Sequence, residues 1–247
     1  MLINGGYTNY GQAIGILMLD THFPRIEGDI GNALTYSFPV KYKKVKNATT
    51  NQIVLECATG LLDRFINAAQ ELEKEGVNAI TTSCGFLSIY QKELSTAVDV
   101  PVFTSSLIQV PMIYRMLKAS QKVGIITANG KTLTEKHFNG VGWSTQEIPI
   151  AIAGMENTNE FSEIFVHGTR TVMDVENVTK EILNVGKDLI KRYPNTGAIV
   201  LECTNMSPFR QVLQKHLSIP IFDIVTLIKM VYNGVCYNPL NSKLARV

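Results

Sequence analysis

Two stretches of this chain read as copies of one another: Asn78–Phe103, NAITTSCGFLSIYQKELSTAVDVPVF, and Gly197–Phe222, GAIVLECTNMSPFRQVLQKHLSIPIF. They align over 26 residues without a gap. Ala79 meets Ala198, Ile80 meets Ile199, Cys84 meets Cys203, Leu94 meets Leu213, Pro101 meets Pro220 and Phe103 meets Phe222. The cysteine-to-proline separation is 17 residues in both. Each copy opens on a short apolar run, passes a cysteine beside small polar residues, and continues at helical spacing, the pattern of a strand running into a helix. A weaker echo pairs Ala13–Leu17, AIGIL, with Lys122–Ile126, KVGII. Apolar runs alone recur in any α/β protein. Cysteine and proline matching together without a gap point to a duplicated βα unit.

The rest of the chain alternates in the same way. Ala13–Leu19, Val77–Thr81, Val100–Phe103, Lys122–Thr127, Ala198–Glu202 and Ile219–Phe222 read as strands. Leu61–Glu75 carries apolar residues at 61, 62, 65, 66, 69 and 72, a helix face, with Gly76 as its C-cap. The segment from Cys84 through about Ala97, Leu107–Ala119, Val175–Arg192 and Met206–Leu217 also read as helices. Strands alternating with helices imply mostly parallel sheets covered on both faces. The expected fold class is α/β: two similar domains, each a mostly parallel sheet flanked by helices, related by internal duplication.

Composition narrows the function classes. The 247 residues are 45% apolar and 18% charged, with a net charge of +2. That balance gives no electrostatic ground for a nucleic-acid partner or a membrane surface. The run Lys41, Lys43, Lys44, Lys46 reads as a solvated strand edge. No 18-residue apolar stretch is present, and MLINGGYTNYGQ does not read as a signal peptide. Cysteines at 57, 84, 203 and 236 have neither CxxC spacing nor the density of a disulfide scaffold, so the reading is a cytoplasmic protein with reduced thiols. Cys57 and Cys236 read as structural. No metal-ligand spacing appears, and His22, His137, His167 and His216 have no assigned role.

Cys84 and Cys203 occupy matched positions where a strand ends and a helix begins, the side of a parallel sheet on which ligands collect. Free amides and the helix dipole at such a corner favour an anion and lower a thiol pKa. If the two halves face one another, a single substrate carbon lies between two thiols. Inverting a centre next to a carboxylate needs proton removal on one face and delivery on the other, which a thiolate and a thiol together can perform without a cofactor. Amides and the hydroxyls of Ser83 and Thr204 would meet the charge developing on the carboxylate.

At these residues the chain resembles the aspartate/glutamate racemase superfamily, with its amino-acid racemases, hydantoin racemases, maleate isomerases and arylmalonate decarboxylases. The resemblance runs from AIGILMLDT through TTSCGF to LECTNMSP. It implies two α/β domains with a cleft between them, residues 1–105 plus 224–247 forming the first, which carries Cys84, and residues 106–223 the second, which carries Cys203. It implies that Cys84 and Cys203 are the two bases, that Asp20 and Thr21 contact a substrate amino group, and that a homodimer forms. Asp20 also has a reading as a plain helix or loop cap. Arg25 either binds a distal carboxylate or stands exposed. Gly85 and Phe86 follow Cys84 where the family has Asn-Thr, and Asn205 stands where His or Glu is common. These neighbours, with Ser83 and Thr204, complete the expected substrate contacts.

The expected function is therefore a cofactor-independent amino-acid racemase, independent of pyridoxal phosphate, acting on an acidic amino acid, a small-molecule carboxylate. A hydantoin-type racemase or a cis–trans isomerase of the same superfamily is the enzyme alternative. A non-catalytic small-molecule binding protein on this fold is the alternative of another class.

Overall fold

The structure, a computed structural model, describes residues 5–236. It contains two separate four-stranded sheets, parallel throughout. The first is built from β1 (Ile14–Met18), β2 (Val40–Lys44), β3 (Ala79–Thr82) and β4 (Val102–Phe103), in the order β2-β1-β3-β4. The second uses β5 (Lys122–Thr127), β6 (Ile150–Gly154), β7 (Thr196–Leu201) and β8 (Ile221–Phe222), in the order β6-β5-β7-β8. The order is the same in both, so the repeated sequence falls on equivalent strands, β3 with β7 and β4 with β8. The fold class is the expected one.

Helices cover the sheets: α1 (Thr50–Val54), α2 (Leu62–Lys74), α3 (Gln91–Ala97), α4 (Val110–Met116), α5 (Glu135–Gly140), α6 (Val175–Arg192), α7 (Arg210–Leu217) and α8 (Ile224–Val235). The central strands β3 and β7 are buried along their whole length, as strands covered on both faces must be. Each fully buried isoleucine or leucine there contributes about 1.5–3 kcal/mol over leaving it in water. The faint echo between β1 and β5 acquires a physical reason. A Cβ on Gly15 would stand 2.9 Å from Leu72 of α2, and one on Gly124 would stand 2.9 Å from Leu189 of α6. In both halves glycine lets the crossing helix sit close on the central strand.

The lysine run is β2, an edge strand. Lys41 pairs with Glu75 at 2.7 Å, Lys43 with Glu71, and Lys44 with Asp20 at 3.1 Å, while Lys46 is exposed. Helix α8 closes the first sheet, where Ile224, Val225, Leu227 and Ile228 pack with Ile14, Ile16, Ala79 and Phe103. Among the described residues no helix is long and apolar enough to cross a membrane.

Two local expectations are corrected. The helix after each cysteine begins as a tight 3-10 turn, Gly85–Tyr90 before α3 and Thr204–Phe209 before α7. In the second turn Pro208 has no N–H to give to an α-helical bond. Strand β6, IAIAG, was missed because alternating small apolar residues carry a weak strand signal.

Candidate active site

The two cysteine loops meet. Thr204, which follows Cys203, donates its hydroxyl to the Ser83 carbonyl, which precedes Cys84, at 2.7 Å. Ser106 Oγ reaches the Leu201 carbonyl at 2.6 Å, and Asn205 Nδ2 donates to Asp29 Oδ2 at 2.8 Å. These bonds hold the carboxyl ends of β3 and β7 against each other. Between them lies one cavity lined by both Cys84 and Cys203, with Thr50, Ser83, Thr204, Asn205, Arg25 and Glu202 as its polar members. Leu19, Phe23, Val54, Phe86, Ala128 and Phe165 form much of the remaining wall. Phe23 and Phe165 close it from opposite halves, edge to face with centroids 5.0 Å apart. The space admits about one water molecule, so a substrate enters only when these covers part.

Both thiols are free. Cys203 Sγ lies 3.7 Å from Asn205 Oδ1. The lowered thiol pKa expected from the sequence is not what the site provides. Burial, reinforced by the nearby Glu202 carboxyl, pushes both thiols well above their ordinary value. The amides of Phe86 and Leu87, with Arg25, oppose that rise at Cys84; the Asn205 amide opposes it at Cys203. A strand-to-helix corner does supply amide donors, but here desolvation outweighs them.

Of the expected substrate contacts, Arg25, Ser83, Phe86, Thr204 and Asn205 line the cavity. Arg25 is half-buried rather than exposed: Nη1 donates to Asp29 at 2.6 Å, Nη2 to Thr21 at 3.0 Å, and the guanidinium stacks over Phe23 at 4.6 Å. Two of its five N–H donors are thereby used, and the others remain for a ligand. Ser83 Oγ accepts from the Leu19 amide at 2.9 Å.

Asp20 is the main correction. It does not line the cavity. Its carboxylate accepts from the Asn47 amide at 3.2 Å and pairs with Lys44 on the edge strand. A hydrogen bond from Lys44 is the largest influence holding its pKa below the usual value. Strand β1 ends at Met18, and the chain turns Asp20 toward β2 rather than into the cleft. Thr21 likewise orients Arg25 instead of lining the cavity. None of the four histidines lines it. Cys57 is exposed, not a buried structural residue.

One functional candidate was missed. Glu202 directly follows the fully buried strand β7 and is itself completely buried in the cavity wall. Its Oε2 accepts from the Thr127 hydroxyl at 2.7 Å, while Oε1 has no partner. Burial pushes its pKa up to about 7. Gly85 leaves it room: a Cβ there would overlap both the Glu202 carbonyl and Oε1. The available signal was a charged residue directly continuing AIVL, an otherwise apolar strand.

Comparison with known proteins fits this architecture. The chain is 28% identical over 238 residues to a dimethylsulfoniopropionate lyase of Durusdinium sp. clade D, covering 92% of this chain and 76% of that protein. It is 29% identical over 235 residues to dimethylsulfoniopropionate lyase 7 of Emiliania huxleyi (strain CCMP1516), covering 92% and 68%. Its fold matches the crystal structure of a glutamate racemase from Bacillus anthracis with a TM-score of 0.58 at 14% identity, over 93% of this chain and 85% of that one. Residues 68–228, which span both cysteines, match the Asp/Glu/Hydantoin racemase family, and the chain belongs to it.

Proposed function

We propose that this protein is a lyase that removes the proton α to the carboxylate of a small β-sulfonio acid of the dimethylsulfoniopropionate class and expels the thioether. The observation that carries this reading is the cavity itself: two thiols converge where Arg25 can meet a carboxylate and phenylalanines offer apolar walls. Similarity to dimethylsulfoniopropionate lyases along 92% of the chain supports the substrate class.

The chemistry follows from the groups present. A thiolate takes the α-proton. The electron pair left on the α-carbon becomes the Cα–Cβ double bond as the Cβ–S bond breaks. Dimethyl sulfide departs with that bonding pair, acrylate remains, and the thiol returns its proton to solvent. Cys84 is taken as the base on the ground of its surroundings, since the Phe86 and Leu87 amides and Arg25 oppose the effect of burial there. A sulfonium cation entering the cavity adds positive charge that offsets the burial holding the thiol neutral.

A second reading, two-base racemisation of an amino acid, is favoured by the pairing of two thiols, since elimination needs one base. Against it, Asp20 pairs with Lys44 and does not line the cavity, so that reading lacks its expected partner for an ammonium. Dimethyl sulfide release, measured in headspace gas, and deuterium uptake at the α-carbon of enantiopure amino acids separate the two. Under the lyase reading, dimethyl sulfide is released and Cys84→Ser lowers its kcat by about 10³-fold, whereas Cys203→Ser costs clearly less. Release of no dimethyl sulfide, together with α-exchange into aspartate or glutamate that either serine variant abolishes, would overturn it.

A further inference from the structure

Glu202 is the sole carboxylate among the described residues lining the cavity, and no cation among the described residues pairs with it. The cavity's cation, Arg25, pairs with Asp29 at 2.6 Å rather than with Glu202. Oε1 is buried and unpartnered beside Gly85, at the only point of that loop where a side chain is missing. Leaving a carboxyl oxygen so placed costs free energy unless a ligand uses it. Phe86 and Phe165 line the same cavity and contribute aromatic rings, whose faces attract cations.

We infer that Glu202, together with Phe86 and Phe165, forms a subsite for the onium head of the ligand, a methylated sulfonium or quaternary ammonium rather than a primary ammonium. The balance of one counter-charge against a largely apolar wall favours the methylated head. A primary ammonium brings three N–H donors that must all be accepted. Among the lining side chains Glu202 alone has a buried acceptor without any partner, while Ser83, Thr204 and Asn205 are already engaged in the bonds that position the two loops. Methyl groups on an onium centre ask for no acceptors, only for an apolar wall and one counter-charge. The place expected for Asp20 is thus filled from the opposite half of the molecule. The subsite deepens the lyase reading for the cationic end of the substrate, but stands on its own geometry.

The charge on Glu202 makes the subsite sensitive to pH. The titratable and charged groups around it are Cys84 and Cys203 at either side, the Arg25–Asp29 pair in the loop after β1, and His137 behind Phe86. With its pKa raised to about 7, Glu202 is about half ionised at neutral pH. An onium ligand binds the ionised form, so binding strengthens as pH rises through 7 and releases a proton below it.

The test uses trimethylsulfonium ion as probe, titrated calorimetrically into the wild-type protein at pH 6 and pH 8 in two buffers of different ionisation enthalpy. The expected result is about tenfold tighter binding at pH 8, with proton release at pH 6. Glu202→Gln, nearly isosteric, should lose the probe by at least about tenfold and lose the pH dependence. The same variant should bind the carbon isostere 4-methylpentanoate, which lacks the onium charge, no more than about threefold more weakly. No binding at pH 8, no pH dependence in the wild type, or equal loss of both ligands in the variant would overturn the subsite. If Glu202→Gln does not fold, the wild-type pH shift and proton release decide the matter alone. Probe binding as expected without cleavage of dimethylsulfoniopropionate would leave the subsite standing and remove the lyase reading. Cleavage without probe binding would do the reverse.

Discussion

Ser83-Cys84-Gly85 and Glu202-Cys203-Thr204 occupy equivalent corners of two sheets with the same strand order, yet their side chains have different tasks. In the first loop Ser83 is internal scaffolding, binding the Leu19 amide, and Gly85 is an absence that makes room. In the second, Glu202 supplies a buried carboxyl that fills that room, and Thr204 reaches across to hold the first loop. Duplication explains why two thiols face one cavity. Divergence of the residues on either side explains why the cavity is polarised, with a carboxyl contributed by one half and a guanidinium, Arg25, by the other. A carboxylate substrate with a cationic β-substituent matches that asymmetry better than it matches a symmetric pair of bases.

Breaking the asymmetry at Gly85 should have the largest effect. In Gly85→Ala the new methyl overlaps the Glu202 carbonyl and Oε1. The Glu202 backbone cannot retreat freely, because its amide is bonded to the Ile126 carbonyl at 2.8 Å. Overpacking of this kind costs about 1–3 kcal/mol. Displacing groups at the reacting centre by an ångström lowers kcat/KM by about 100-fold. The expected outcome is a lowered melting temperature together with near-complete loss of turnover. Wild-type turnover in Gly85→Ala would show that the close approach of the two loops is not needed for chemistry.

A smaller effect sharpens the other side of the comparison, what the halves still share. Gly15→Ala and Gly124→Ala should each destabilise the fold by about 1–3 kcal/mol without changing the chemistry, since both glycines lie toward the starts of β1 and β5. Gly124→Ala should cost more. Its Cβ meets Thr196 Cγ2 at 2.9 Å as well as Leu189, and a β-branched side chain has little freedom to turn aside. Gly15 faces the flexible ends of Leu72, with Val77 farther off at 3.2 Å. Denaturant unfolding of the two variants compares them directly. A cheaper Gly124→Ala would contradict this packing.

What could be read from the sequence divides along the same line. The shared part was legible: an ungapped repeat fixed the parallel α/β class, the pairing of Cys84 with Cys203, and the glycine echo between the central strands. Even the lysines of β2 read correctly as an edge. The divergent part was not, because it depends on tertiary placement. Asp20 follows an apolar strand and reads as facing the cleft, but one turn of chain delivers it to Lys44. The thiols read as activated because a strand-to-helix corner offers amides. Burial in a cavity closed by residues more than a hundred positions apart, Phe23 and Phe165 among them, outweighs those amides. Glu202 was hidden by the repeat itself, which directs attention to matched letters and away from Ser83 opposite Glu202.

The smallest effect tests whether the two cysteine loops hold one another or are each held by their own sheet. Thr204 Oγ1 donates to the Ser83 carbonyl across the halves, and both residues are buried. Thr204→Val keeps the shape and removes the donor, leaving the Ser83 carbonyl buried without that partner. An orphaned buried acceptor of this kind costs about 1–3 kcal/mol. The cross-link from Asn205 to Asp29 remains, so the loops should stay in register and kcat should fall only a few-fold. Removing both, Thr204→Val with Asn205→Ala, should cost more in turnover than the two single changes multiplied, because each link alone still keeps Cys203 opposite Cys84. Thermal melts and kcat for the two singles and the double form the required cycle. Strict multiplicativity in kcat, with a Thr204→Val stability cost below about 0.5 kcal/mol, would mean that each sheet positions its own cysteine and that the contact between the halves is incidental.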